Sequence, residues 1–104
     1  MSRDLDTLHD ILDMIELVGR HGPDDEMALR GDVVLQAATL HWIQTIGEAV
    51  GRLSAELRER YPELPWRQIA DMRNLVVHGY NQVDLAIVWR AVERDLPPLE
   101  AQVR

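Results

Sequence analysis

The chain has 104 residues, 46% hydrophobic and 28% charged, with a formal net charge of −7 and no cysteine. That is the length and composition of one globular domain, and the missing cysteine excludes disulfides, thiolate chemistry and a Cys-type zinc site. No apolar run approaches the roughly 20 residues that span a bilayer, and the acidic N-terminal segment does not read as a signal peptide, so a cytoplasmic protein with no membrane partner is expected.

Charge is unevenly distributed. Residues 1–50 carry three Arg against ten Asp or Glu, whereas residues 51–104 carry eight of each. All the basic residues are Arg, and Arg52, Arg58, Arg60, Arg67 and Arg73 crowd the start of the second half. The acidic total argues against a broadly basic nucleic-acid surface, but Arg is the better group for bidentate phosphate contacts.

In chain order, Leu5, Leu8, Ile11, Leu12, Ile15 and Val18 follow the spacing of an amphipathic helix, with Ser2 as its N-cap. His21-Gly22-Pro23 ends it, and Asp24 to Leu29 forms a further turn. A long helix is predicted from about Asp32 to Arg60, with Val33, Ala37, Leu40, Val50, Leu53 and Leu57 as its buried stripe. Gly47 and Gly51 inside it each cost about 1 kcal/mol relative to Ala, and their simplest use is close approach of another helix, in the same chain or in a partner. Trp42, Ile43 and Ile46 widen its apolar surface, which in so short a chain predicts an interface with a second copy.

Tyr61 to Pro65 reads as a connector, followed by a helix from about Trp66 to Val77 that Gly79 terminates. Asp84 caps a last helix through Leu85, Val88, Trp89 and Val92, which Pro97-Pro98 breaks or kinks before a short tail to about Val103. The expected fold is all-α: a single up-and-down bundle of about five helices over residues 1–104, paired as a homodimer.

The chemistry concentrates between Arg73 and Tyr80. Arg73, Asn74, His78 and Tyr80 supply a permanent cation, an amide, an imidazole and a phenol within eight residues. On a continuous α-helix Asn74 and His78 share a face, while Arg73 lies roughly 140° around from His78. These groups suit RNA cleavage without a metal. A ribose 2′-OH must lose a proton, the phosphorus passes through a state of added negative charge, and the 5′-oxygen must gain a proton. An imidazole titrating near neutrality can be base or acid, and a guanidinium fork stabilises the developing charge. Asn74 can orient the imidazole or contact phosphate, and Tyr80 can position substrate. Spacing alone is weak support, since Arg3 and His9 nearly reproduce it and a His near a helix C-terminus can serve the helix dipole only. His9, His21 and His41 lack metal-ligand spacing, so no metal or other cofactor is expected. The three Trp read as core or interface anchors.

The string Arg73-Asn74-Leu75-Val76-Val77-His78-Gly79-Tyr80 resembles the R-N-x-x-x-H-x-Y form of the HEPN signature found in HepT-type ribonuclease toxins. Ile46-Gly47-Glu48-Ala49 resembles that family's I-G-E-A element, and Pro65-Trp66-Arg67-Gln68-Ile69 its P-W-x-x-I lead-in. Val83-Asp84-Leu85 with Val88-Trp89 resembles the segment after the motif. The resemblance covers roughly residues 4–100. It implies a five-helix HEPN fold, a homodimer with both motifs near the subunit interface, and a metal-independent endoribonuclease, with tRNA favoured over mRNA as substrate.

Carried over by position, Arg73 and His78 are catalytic, with Asn74 supporting them. Tyr80 is the residue that an MntA-type minimal nucleotidyltransferase antitoxin modifies with AMP. Glu48 falls in a family element and can pair with Arg73 or hold an interhelical polar contact. Two other readings of the same residues stand beside this one: a non-catalytic module that binds RNA or a nucleotide, and a structural partner subunit of a nucleotidyltransferase.

Overall fold

A computed structural model describes residues 2–75 and 85–103. Among these residues the secondary structure is entirely helical, as expected of an all-α bundle. Helix α1, Ser2–His21, places Ile11, Ile15 and Val18 in the core. Ser2 is itself the first helical residue rather than the cap. Leu5 stays 57% exposed, lining with Leu8 and Leu57 a shallow hollow of about 150 Å³. Gly22 closes α1 by donating its N–H to the Val18 carbonyl at 2.8 Å, where any Cβ would collide with that carbonyl.

Helix α2, Glu26–Arg30, starts at Asp25, whose carboxylate accepts from the Ala28 N–H at 2.8 Å. Helix α3, Val33–Gly51, starts at Asp32, which accepts from the Leu35 N–H at 3.1 Å. Two short-range caps thus set the corner between these helices. Gln36 reinforces it by donating its amide to the Leu29 and Arg30 carbonyls at 3.0 and 3.1 Å.

The long helix expected from Asp32 to Arg60 is two helices. α3 stops at Gly51, and α4 runs Ala55–Arg60. The Arg52 and Leu53 N–H groups turn back to the Ala49 and Val50 carbonyls, three residues behind, and this tightening ends the helix. Ser54 then caps α4, accepting from the Leu57 N–H at 3.1 Å. Arg58 donates from Nη2 to the Val50 and Gly51 carbonyls at 3.0 and 2.9 Å, satisfying the last acceptors of α3.

The break also revises the buried stripe. Val50, Leu53, Ile43 and Ile46 are buried, whereas Val33 is 77% exposed and Ala37 is exposed. The first turns of α3 project beyond the rest of the bundle's packing, so their apolar side chains meet water.

Helix α5, Trp66–Ala70, passes directly into a 3₁₀ segment, Asp71–Leu75. A single α-helix to Val77 was expected; the described part changes its winding at Asp71, and residues 76–84 lie outside the description. Helix α6, Leu85–Arg90, continues through a π turn, Ala91–Asp95, into α7, Leu96–Val103. The Leu96 N–H reaches back five residues to the Ala91 carbonyl. This wider turn is how the chain carries Pro97 and Pro98 inside α7 instead of breaking there: the exposed rings sit on a first turn already opened, which relieves the usual clash with the carbonyl four residues back.

α3 is the central element, with α1 packed along it, α5 and the 3₁₀ segment against its C-terminal half, and α2 at its start. α7 closes the core against α1, and α6 lies on α2 and α3. The core is one cluster to which α1, α3, α5, α6 and α7 all contribute, including Ile11, Ile43, Ile46, Ile69, Val88 and Leu99. Trp42, Trp66 and Trp89 are half-buried and pack against it, as anchors. Among the described residues no helix is long and apolar enough to cross a membrane.

Candidate functional site

The segment that leads to the motif is built from an indole and a glycine. Pro65 precedes the first residue of α5, and the chain enters the helix through the Trp66 N–H, which donates to the Leu64 carbonyl at 2.9 Å. The Trp66 indole N–H donates to the carbonyls of Tyr61 and Arg58 at 2.9 and 3.1 Å. One side chain thereby satisfies the end of α4 and fixes the angle at which α5 leaves it. Ile69 and Met72 then bury into the core, leaving Asp71 and Arg73 on the outer side of the 3₁₀ turn.

Arg73 is exposed, and among the described residues its guanidinium has no ion pair or hydrogen bond. Asn74 follows it in the same 3₁₀ segment. His78 and Tyr80 lie outside the described residues. Because the winding from Asp71 to Leu75 is 3₁₀, the α-helical angles used to relate Arg73 to the later residues do not hold across this segment.

Gly47 faces this turn from α3. A Cβ built on Gly47 would stand 2.7 Å from the Arg73 backbone nitrogen and 3.1 Å from the carbonyl oxygens of both Ala70 and Ile69. The expected close approach of two helices is therefore real at Gly47, and it falls on the backbone of Arg73 itself. Among the described residues of the chain Gly51 has nothing within 4 Å of its own Cβ position, so the close approach within the chain falls at Gly47.

Glu48, next to Gly47, is exposed and forms no ion pair with Arg73. Of the five Arg crowded between residues 52 and 73, Arg58 caps α3 and Arg60 pairs with Glu56 at 3.4 Å. Arg52, Arg67 and Arg73 are exposed with no partner among the described residues. The capping role of Arg58 was not visible in the sequence, since it depends on the break at Gly51; Ser54, a cap-forming residue three positions on, was the available signal.

No group of three or more His, Asp or Glu suited to a metal ion occurs among the described residues, and His9, His21 and His41 are all exposed. What the described site offers is an unpaired guanidinium on an exposed turn whose backbone is held at close range by a neighbouring helix. That suits binding of a phosphate oxygen.

Comparison with known proteins gives a consistent picture. The sequence pattern of the family described as "Ribonuclease HepT-like" matches residues 8–104. A Thermococcus cleftensis protein named "Probable ribonuclease HepT" is 32% identical over 100 residues, covering 93% of this chain and 89% of that one. A Caldanaerobacter subterraneus protein named "Putative RNase" is 40% identical over 73 residues, 70% of this chain and 65% of that one. A Methanocaldococcus jannaschii protein named "Gamma-glutamylcyclotransferase and putative RNase" is 36% identical over 97 residues, which cover 92% of this chain but 44% of that one. This chain thus spans about half to two-thirds of the length of the last two relatives. No solved structure matches.

Proposed function

Because the chain belongs to the HepT-like ribonuclease family, we propose that it cleaves RNA without a metal ion, using Arg73 and His78. The observation that carries this reading is that the family match runs through the Arg73–Tyr80 string while Arg73 stands exposed on its turn, with no partner among the described residues. In the proposed reaction His78 takes the proton of a ribose 2′-OH, the 2′-oxygen attacks the adjacent phosphorus, and the P–O5′ bond breaks as the 5′-oxygen takes a proton from the imidazolium so formed, leaving a 2′,3′-cyclic phosphate. Arg73 holds the phosphoryl oxygens as charge develops on them, and Asn74 orients the imidazole or the phosphate.

The biological role we propose is the toxin of a toxin–antitoxin pair acting in the cytoplasm, with tRNA favoured over mRNA as substrate. An MntA-like nucleotidyltransferase antitoxin would silence it by AMP transfer to Tyr80. In that step the phenol oxygen attacks the α-phosphorus of ATP, loses its proton, and pyrophosphate departs. The added phosphate repels RNA and the nucleotide fills the site. A homodimer fits the same reading. Met27, Val33 and Val34, at the corner of α2 and α3, are 82%, 77% and 78% exposed, an apolar corner that pairing with a second copy would cover. Two copies of the Arg-bearing half would also offset the acidic first half around a shared cleft. Glu48 is assigned to supporting the site from α3.

The test is cleavage of a tRNA pool in excess EDTA by the purified protein and its Arg73→Ala and His78→Ala variants. Both variants are expected to lose cleavage while keeping helicity and sedimentation unchanged; undiminished cleavage by His78→Ala overturns the reading. Tyr80→Phe is expected to cleave normally yet escape silencing, with no AMP in the intact mass after co-expression with the antitoxin.

A further inference from the structure

We propose that Gly47 is a positioning residue for Arg73: its missing side chain lets α3 seat the 3₁₀ turn at the depth from which the guanidinium reaches phosphate. The inference rests on the ribonuclease reading above and adds a residue from a different helix to that site.

The geometry is specific. The three atoms nearest a Cβ at Gly47 are all backbone atoms: Arg73 N, Ala70 O and Ile69 O. A 3₁₀ turn joins an N–H to the carbonyl three residues back, and Arg73 N and Ala70 O are such a pair. The Gly47 α-carbon thus lies against the peptide groups that close the turn presenting Arg73. No rotamer change can relieve a methyl placed there. Ordinary van der Waals contact begins near 3.4 Å, against 2.7 Å at Arg73 N, so the turn would have to retreat by about 0.7 Å. The turn can yield outward, because Asp71 and Arg73 are exposed while Ile69 and Met72 hold its inner side. A displacement of that size at a group holding the reacting phosphoryl costs roughly 10- to 100-fold in turnover. Gly51, four residues along the same helix and with open space at its Cβ position, is the internal control.

The experiment compares Gly47→Ala and Gly51→Ala on a single-stranded RNA, in the wild-type and Arg73→Lys backgrounds, with folding checked by circular dichroism. Gly47→Ala is expected to lower kcat about 10- to 100-fold with KM within about threefold, while Gly51→Ala keeps wild-type values. In the Arg73→Lys background, whose remaining turnover is measured directly, Gly47→Ala should cost less than about threefold more, because it acts through the group already altered. The same factor lost in both backgrounds means a general structural role and overturns the proposal, as does wild-type kcat in folded Gly47→Ala. Should Gly47→Ala be unfolded at 25 °C, Gly47→Ala/Ala70→Gly, in which the turn yields more easily, is compared with Ala70→Gly by the same criteria. An Arg73→Ala protein that cleaves normally would instead show that the ribonuclease site has been misassigned, whatever Gly47 does.

Discussion

Two joints of this small bundle are built on opposite principles. Around α4, where the chain leaves α3 and turns toward α5, directional polar bonds hold it. Ser54 donates its N–H and Oγ–H to the two oxygens of Asp4 at 3.1 and 2.7 Å, Arg58 caps α3, and the Trp66 indole caps α4. Where α5 becomes the 3₁₀ turn, the constraint is steric: Ile69 and Met72 pull from below and Gly47 sets the depth from the side. The contrast has a chemical logic. Hydrogen bonds to the Arg73 guanidinium would occupy donors that a phosphate must receive, whereas a backbone contact fixes its position and leaves the fork free.

The widest separation between the joints comes from Arg73→Ala, which should lower cleavage by about 100-fold or more with little change in thermal stability, read by RNA turnover and a melting curve. At the polar joint the reverse pattern is expected. Trp66→Ala should cost about 3 kcal/mol of stability, measured by urea unfolding, because it removes a core-packed indole and leaves two carbonyls to find new partners. Ser54→Ala should cost about 1 kcal/mol through loss of the cap, with turnover per folded molecule unchanged.

Asp4 adds a pH signature to the same joint. The side-chain and then the backbone hydrogen bond from Ser54 hold its carboxyl below the ordinary Asp value. A depressed folded pKa gives stability that is fully present above the unfolded value near 3.9 and is lost as pH falls through the folded value. Asp4→Asn should therefore flatten part of the acid limb of stability below about pH 4, measured as Tm against pH, and leave neutral-pH cleavage alone. The smallest effect belongs to Gly51→Ala, which should raise stability by a few tenths of a kcal/mol to about 1 through helix propensity. A large destabilisation there would erase the distinction between the two glycines.

The periodic parts of the fold were legible in the sequence. The apolar spacing from Leu5 to Val18 and the His21-Gly22-Pro23 stop gave α1 its limits, and Asp32 was recognisable as the start of α3. What escaped were features decided by tertiary contact. Apolar periodicity runs unbroken through Leu53 and Leu57, so it carried the helix across Gly51; the break depends on Asp4, fifty residues away, and on an Arg that caps from the far side. Val33 and Ala37 fit the stripe by spacing alone, and whether a helix end is covered is not a local property. At the candidate site, spacing alone pointed only weakly to Arg73 and Asn74, the resemblance of the wider string carried them, and Gly47 stood out by its cost inside a helix. That the glycine meets the backbone of the arginine required the packing of α5 on α3. The α-to-3₁₀ change at Asp71 has no local signal in the sequence, since no Gly or Pro marks it.

The π turn at Ala91–Asp95 gives the C-terminal part of the chain a fixed reading length. It holds one residue more than α winding would accommodate, and by absorbing that residue it keeps α7 in phase with α6, so that Leu96 and Leu99, 3% and 0% exposed, reach the core. Removing one residue from the turn would let α winding resume over nearly the same arc, whereas adding one more would swing everything after it by about 100°. Such an insertion would carry Leu96 and Leu99 toward solvent, while a deletion would leave them facing the core and bring the two proline rings back against the carbonyls they now avoid. In this stretch a single-residue insertion should be far less tolerated than a single-residue deletion, because only the insertion turns α7 out of register with α1.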